Sequence, residues 1–180
     1  EEEPPSFRTV YGETKFKTEQ LIMNSKFKGD ICILRCPIIL GKQRSYRFGI
    51  LFSMIKENFN IPLIGDCKNK LSFVHVSDVC DAIELFFDKT GKYVFNIAAD
   101  EAEEFNLILS RLIKKANSKS KLKFINRPLG NLMFDIAVFF RLIPYTHYHK
   151  KIFNYSIILK NEKIKKVLNW QPKYTVEKMF

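Results

Sequence analysis

The chain has 180 residues, of which 46% are hydrophobic, so it can bury the core of one domain and is not a disordered chain. Its formal net charge is +11, but the lysines are scattered and the sequence carries no nucleic-acid-binding motif, so we expect no nucleic-acid partner. The alternative is that the positively charged surface of the protein binds nucleic acid or an anionic membrane surface.

The cysteines and the apolar segments indicate the cellular setting. The four cysteines form no CxxC pair and the three histidines are not at metal-ligand spacing, which predicts no metal site and a reducing, cytosolic environment.

The longest apolar-rich run, residues 132–144, is too short to span a bilayer and contains Asp135 and Arg141. We therefore expect no transmembrane segment. The run favours a core or interface helix, with a membrane-surface helix as the alternative.

The first half of the chain predicts alternating helices and strands. The apolar run ICILRC, which precedes Pro37, is typical of a strand buried on both faces of a parallel sheet. Ser77 or Asp78 is predicted to cap the helix that follows it. The predicted elements are a helix over 10–26, a strand over 31–36, a helix over 50–58, an extended piece over 61–66, a strand over 70–77 and a helix over 79–89.

The second half is predicted to be mostly helical. Its elements are a buried strand over 93–98, an amphipathic helix over 106–115, a strand over 121–125 and helices over 131–143 and 160–169.

The opening stretch TVYGETKFKTEQL places Tyr11, Lys15 and Glu19 four residues apart, on one side of the first predicted helix. An isolated phenol holds its proton too tightly to act as a base at neutral pH, but a neighbouring ammonium stabilises the phenolate. Tyr11 could then exchange a proton with a substrate hydroxyl, and Lys15 could also donate to the hydroxyls of a ribose. Glu19 is expected to form a helix ion pair with Lys15.

Five segments in order give these residues a context: YGETKFKTE, LRCPIILG, LSFVHVSDVCDAI, YVFNIA and LNWQPKYTVEKMF. Together they resemble the second half of an extended short-chain dehydrogenase/reductase of the NAD-dependent epimerase/dehydratase family. The resemblance implies an α/β fold: the C-terminal half of a Rossmann-type parallel sheet domain plus a small, mostly helical substrate-binding portion. The Rossmann parts would be residues 1–41 and 70–98, and the substrate-binding parts residues 42–69 and 99–180.

The resemblance also assigns roles. Tyr11 would be the catalytic residue that moves the proton, and Lys15 its partner, which also holds the ribose of NAD or NADP. The segment passing the nicotinamide would place Pro37 and Ile38 against the cofactor. The substrate-binding residues would be Lys42, Leu63, Ile64 and Arg127, although Arg127 is also typical of an ordinary surface arginine at a strand end. His75 and Asp78 would shape a turn, and Trp170 and Pro172 would pack.

Two departures limit the resemblance. None of the seven glycines forms the family's GxxGxxG fingerprint, which cradles the cofactor pyrophosphate, so we expect the first half of the fold to lie outside these residues. Sugar-nucleotide epimerases commonly carry an arginine where this chain has Leu71, and the apolar stretch LGNLMFDIAVFFRLIP looks more like reductases with apolar substrates.

The leading hypothesis is therefore an NAD(P)-dependent epimerase, dehydratase or reductase acting on a small molecule, such as a nucleotide-sugar, and forming a homodimer through the helix of Tyr11 and Lys15. The alternatives are a hydroxysteroid-dehydrogenase-like reductase of an apolar substrate, and a non-catalytic remnant that acts as an interaction module.

Overall fold

The computed structural model describes residues 10–41, 46–143 and 155–180. Within those ranges the chain forms helices and strands that alternate through its first half. In chain order these are α1 (Val10–Met23), β1 (Ile31–Arg35), β2 (Ile38–Leu40), α2 (Tyr46–Lys56), β3 (Ile61–Ile64), β4 (Lys70–Leu71), β5 (Phe73–His75), α3 (Val76–Phe86), β6 (Lys92–Asn96), β7 (Glu103–Glu104), α4 (Phe105–Lys115), β8 (Leu122–Ile125), α5 (Arg127–Phe139), α6 (Glu162–Leu168) and α7 (Val176–Met179).

Strand pairing is mainly parallel. β1 pairs with β6 from Ile31 opposite Lys92 to Arg35 opposite Asn96, β2 pairs with β5, and β3 pairs with β8, all in parallel. Only the short β4 and β7, of the strands described, form an antiparallel pair. Parallel pairing between strands that a helix separates in sequence is the expected geometry of an α/β sheet. The predicted fold class is confirmed.

The start of the β1–β6 pair is fixed by Asp30 and Gly91. The Gly91 N–H donates to the Asp30 carboxylate at 2.6 Å, and the Ile31 N–H donates to the Gly91 carbonyl at 2.9 Å. Gly91 has a φ of +112°, which a residue with a Cβ adopts only under strain. Gly91 therefore sets the register of β6 against β1.

The cap of α3 differs from the prediction. The helix begins at Val76, and the cap is His75, whose Nδ1 accepts from the Ser77 N–H at 3.2 Å. Ser77 and Asp78 lie inside the first turn. The Asp78 carboxylate instead accepts hydrogen bonds from backbone far along the chain, at residue 173 and beyond. A local pattern cannot reveal that competing partner.

Other boundaries shift for identifiable reasons. The predicted strand over 70–77 is split into β4 and β5 at Ser72, whose N–H donates to Ile157 and whose Oγ accepts from the Leu159 N–H. The predicted helix over 131–143 begins earlier, at Arg127, because Asn126 caps it by accepting from the Leu129 N–H at 3.0 Å. β2, which directly follows Pro37, was not predicted.

Two apolar cores hold these elements together. One lies beneath the β1–β6 pair and is made of Val74, Ala82, Phe95, Ile97, Ile164, Leu168 and Trp170. The other joins α2, α4 and the strands around β3, and its largest members are Leu63, Leu71, Phe73, Phe105, Ile108 and Leu109. Leu63, which was predicted to contact substrate, thus also has a role in packing.

Candidate active site

Helix α1 places Tyr11 and Lys15 beside each other. The Lys15 ammonium lies 5.6 Å from the centroid of the Tyr11 ring, which is within the range of a cation–π contact. Both side chains are exposed on the helix. The one-turn spacing therefore does what the sequence predicted, holding a positive charge against the phenol.

The third residue of the predicted stripe pairs elsewhere. Glu19 is 9% exposed, and its carboxylate accepts from Arg35 Nε at 2.9 Å and from Arg35 Nη2 at 2.5 Å. The expected ion pair of Glu19 with Lys15 was wrong. The fork of two hydrogen bonds suits a guanidinium, which presents parallel N–H groups to a carboxylate. It ties α1 to β1.

A first cleft of about 620 Å³ lies between α1 and the segment of β1 and β2. Tyr11 and Lys15 line it on the helix side, and Pro37 and Ile39 line it on the strand side. Ile38 packs instead against the core around β3, because successive residues of a strand point to opposite faces. Of the four predicted catalytic and cofactor-binding residues, the structure brings Tyr11, Lys15 and Pro37 to one cleft.

Sequence reasoning missed several residues of the first cleft. The i, i+4, i+7 and i+11 spacing from Tyr11 marks Thr18 and Ile22 as further members of the same helix side, so this signal was available. Arg35 and Cys36 also line the cleft, but they belong to a predicted strand, residues 31–36, that was assigned as buried on both faces, so nothing in its pattern marks them.

A second cleft, of about 480 Å³, lies between α2, β3 and α5. Two predicted substrate-binding residues, Leu63 and Ile64, line it. Its remaining walls are apolar and include Met54 of α2 and Phe134 of α5. The predicted site residues therefore divide between two clefts.

Arg127 is the first residue of α5 and lies over the turn that ends β3. That turn needs Gly65, which has a φ of +73° and at which a Cβ would stand 2.8 Å from Arg127 Nε. The Arg127 Nη2 lies 3.5 Å from the Asp66 carboxylate, and both side chains are more than half exposed. This long contact leaves the guanidinium accessible to an anion. The fourth predicted substrate-binding residue, Lys42, lies outside the described residues.

The C-terminal segment is bound to the first turn of α3. The buried Asp78 carboxylate accepts from the backbone N–H groups of Lys173 at 3.0 Å and Tyr174 at 3.4 Å. Its carbonyl accepts from Trp170 Nε1 at 2.9 Å, and His75 stacks on Tyr174 with a centroid distance of 3.8 Å. Burial raises the pKa of the Asp78 carboxyl, although the two backbone N–H groups act against this. These contacts agree with the structural roles expected for His75, Asp78 and Trp170.

The described residues offer neither a metal-ligand cluster nor a helix that could cross a membrane. Residues 10–41, 46–143 and 155–180 contain no cluster of three or more His, Cys, Asp or Glu side chains that could hold a metal ion. The helices described there include none with the length and hydropathy needed to cross a bilayer. All four cysteines are free thiols.

Comparison with known proteins gives related sequences and folds. Residues 1–98 match the model of the NAD dependent epimerase/dehydratase family. The uncharacterized protein y4nG of Sinorhizobium fredii is 28% identical over 99% of this chain and 46% of its own length.

Solved structures share the fold at lower identity. UDP-glucuronic acid 4-epimerase from Bacillus cereus, in complex with NAD, aligns with a TM-score of 0.71 and 20% identity over 99% of this chain and 52% of that one. RMD from Pseudomonas aeruginosa, complexed with NADPH, aligns with a TM-score of 0.67 and 15% identity over 99% of this chain and 56% of that one.

These alignments cover nearly all of this chain but only about half of each of those proteins. The parallel strand pairs and the similar folds agree with the family match, which extends over more than half of the sequence. The chain belongs to the NAD dependent epimerase/dehydratase family.

Proposed function

We propose that this chain supplies the catalytic residues of an NAD- or NADP-dependent epimerase, dehydratase or reductase. The enzyme would transfer hydride at a hydroxyl- or keto-bearing carbon of a nucleotide-sugar or a related substrate. The observation that carries the proposal is the pairing of Tyr11 with Lys15 at the wall of the first cleft, opposite Pro37. NAD-bound relatives of the same fold support the cofactor class.

Each residue of the first cleft has a definable task. Tyr11 exchanges a proton with the substrate oxygen, and the Lys15 ammonium lies beside its ring at 5.6 Å. Lys15 donates to the ribose hydroxyls, and Pro37 and Ile39 give an apolar wall for the nicotinamide. Ile38 packs against the core on the opposite face of β2 and is not part of that wall. A nicotinamide held here would supply the hydride-transfer chemistry.

The residues present fit only one end of the cofactor. The first cleft offers a cation and apolar walls, which suit a nicotinamide ribose and ring. The seven glycines of the chain form no fingerprint loop for the pyrophosphate. We therefore propose that residues 1–41 and 70–98 complete a cofactor site whose glycine-rich part belongs to the other half of the longer fold.

The substrate end is proposed to lie in residues 42–69 and 99–180. Lys42 and Arg127 would bind anionic groups of the substrate, and Leu63 and Ile64 would contact its apolar parts. The exposure of Arg127 at the start of α5 supports this role.

Free cysteines support the proposed cytoplasmic location. Exposed Leu21 on α1 supports a homodimer formed through that helix.

A turnover assay of the full-length protein tests the proposal. Wild-type protein with NAD or NADP and a panel of UDP- and dTDP-sugars is expected to give product or reduced cofactor. Tyr11→Phe should abolish turnover with little change in folding, and Lys15→Met should also weaken cofactor binding. Lys17→Met is the matched control, because Lys17 pairs with Glu13 at 2.7 Å on the exposed side of the same helix. Full activity in Tyr11→Phe and Lys15→Met would refute the assignment and leave the interaction-module alternative.

A second candidate is a reductase of an apolar substrate, related to hydroxysteroid dehydrogenases. The apolar lining of the second cleft favours it, because a hydrocarbon substrate portion needs no hydrogen-bond partners there. Turnover of sterol or isoprenoid ketones, with no turnover of nucleotide-sugars, would select this candidate.

A further inference from the structure

The second cleft has a lining unlike that of a sugar site. Among the residues that the structure describes, the side chains lining it include no lysine, arginine, histidine, aspartate or glutamate. α2 contributes Ile50, Leu51 and Met54, and α5 contributes Met133 and Phe134. A sugar hydroxyl placed there would lose its hydrogen bonds to water without replacement, which costs free energy. An aliphatic chain would gain from the same burial.

The thiol of Cys67, which also lines the cleft, lies in the same apolar environment. Cys67 is 3% exposed, and burial, reinforced by the neighbouring Asp66 charge, raises the pKa of its thiol to about 11. The environment therefore disfavours a negative charge inside the cleft.

One end of the second cleft adjoins a cation. Ile64 lines the cleft, and the next residue, Gly65, lies beneath the Arg127 side chain. Arg127 also begins the 13-residue helix α5, whose N-terminus carries a partial positive charge. Gly130 and Ala137, further along the same helix, line the cleft, so Arg127 and part of the cleft wall share α5.

The other side of the second cleft is continuous with an exposed apolar surface. Met133 and Leu142 line the cleft and are 49% and 72% exposed. Leu132 and Phe139 are further exposed apolar side chains of α5. A hydrocarbon chain thus has an apolar route into the cleft.

We propose that the second cleft binds the hydrocarbon chain of an anionic amphiphile, with the anionic head group held by Arg127 at the start of α5. Acyl carboxylates and isoprenyl phosphates share this chemistry. The inference deepens the second candidate function and rests on it for the link to turnover, but binding itself needs neither cofactor nor Tyr11.

Calorimetric titration of the full chain with butyl, octyl and dodecyl phosphate, below their micellar concentrations, tests the proposal. Affinity should rise about fourfold for each methylene that the cleft buries, with a negative heat-capacity change. Farnesyl phosphate and dodecanoate are titrated in the same way. Whichever of the two binds more tightly identifies the ligand class, isoprenyl phosphate or acyl carboxylate. Affinity independent of chain length would overturn the proposal.

Two substitutions one residue apart provide a matched pair. Ala137→Phe places a ring in the cleft and should weaken dodecyl phosphate at least tenfold, whereas Ile136→Phe, on the exposed side, should not change the affinity. Arg127→Gln should weaken dodecyl phosphate about tenfold and leave 1-decanol unaffected. Equal effects of Ala137→Phe and Ile136→Phe would refute the assignment of the cleft.

A measurement on the wild-type chain covers the case in which Ala137→Phe fails to fold. Saturating dodecyl phosphate should slow alkylation of Cys67 at pH 9 at least fivefold and leave the exposed Cys80 unchanged. An unchanged Cys67 rate would overturn the proposal. A second outcome would also overturn the proposal: the chain binds no alkyl phosphate and forms a dimer, and Leu132→Lys dissociates that dimer. The exposed surface of α5 would then be a subunit interface. Because these measurements need no turnover, their failure would leave the hydride-transfer proposal intact.

Discussion

Arg35 on β1 donates from Nε and Nη2 to the two carboxylate oxygens of Glu19 on α1. The pair connects residues 16 apart in sequence and lies at the wall of the cleft that Tyr11 and Lys15 line. It fixes the helix that carries the proposed catalytic residues against the sheet.

Breaking this pair should cost more than breaking an exposed pair of the same helix. Glu19→Gln removes a charge that is 9% exposed and is expected to lower the free energy of unfolding by about 1–3 kcal/mol. Glu13→Gln, which breaks the exposed pair with Lys17, should cost no more than about 0.5 kcal/mol. Urea unfolding of the two variants measures both values. Equal losses would show that the Arg35 fork does not anchor α1.

Asp78 should make stability fall as the pH rises. Burial raises the pKa of its carboxyl, so the folded state holds the proton more tightly than the unfolded state. Its stabilising contribution is complete below the unfolded pKa, about 3.9, and is lost as the pH rises through the raised folded value. The difference in unfolding free energy between wild type and Asp78→Asn should therefore decrease across that window in urea titrations. An increase would contradict the predicted direction.

Asp100 should show the opposite dependence. Burial acts to raise its pKa, but hydrogen bonds from Lys165 at 2.5 Å and Asn161 at 3.0 Å outweigh burial, and the pKa is lowered. The folded state then gains stability above the unfolded pKa and loses it as the pH falls through the folded value. Wild type should exceed Asp100→Asn in unfolding free energy at pH 6, and the excess should shrink towards pH 3. Lys165→Met should abolish most of this pH dependence.

The cysteines should differ in reactivity without any ligand. Because burial raises the pKa of the Cys67 thiol to about 11, only about one thiol in a thousand is ionised at pH 8. Cys80 is exposed and should react with a disulfide reagent at least about ten times faster. Mass spectrometry of partly labelled protein assigns the sites. Faster labelling of Cys67 would mean that the second cleft opens readily to water.

Much of the fold could be predicted because its signals are local. The apolar run before Pro37 predicted β1, and the period of apolar residues predicted α4 to within one residue at its start. The Tyr11–Lys15 contact also follows from helical spacing alone.

The remainder depends on partners that are distant in sequence. Glu19 pairs with Arg35 and not with Lys15, because Arg35 lies beside it in the fold. The Asp78 carboxylate accepts from the Lys173 N–H and does not cap α3. Ile38 and Ile39 could not be assigned to their faces because β2 is too short to show an alternating pattern. Such pairings are decided by tertiary packing, which one sequence does not display.

The contact of Trp170 with Asp78 has a consequence for synthesis of the chain. These residues are 92 positions apart, and Trp170 belongs to the core beneath the β1–β6 pair. That core therefore cannot close before the ribosome has added the segment that contains Trp170, so the apolar side chains of β6 stay partly exposed to solvent until then. Because Trp170 is the single tryptophan of the chain, its fluorescence would record the moment at which this late contact forms.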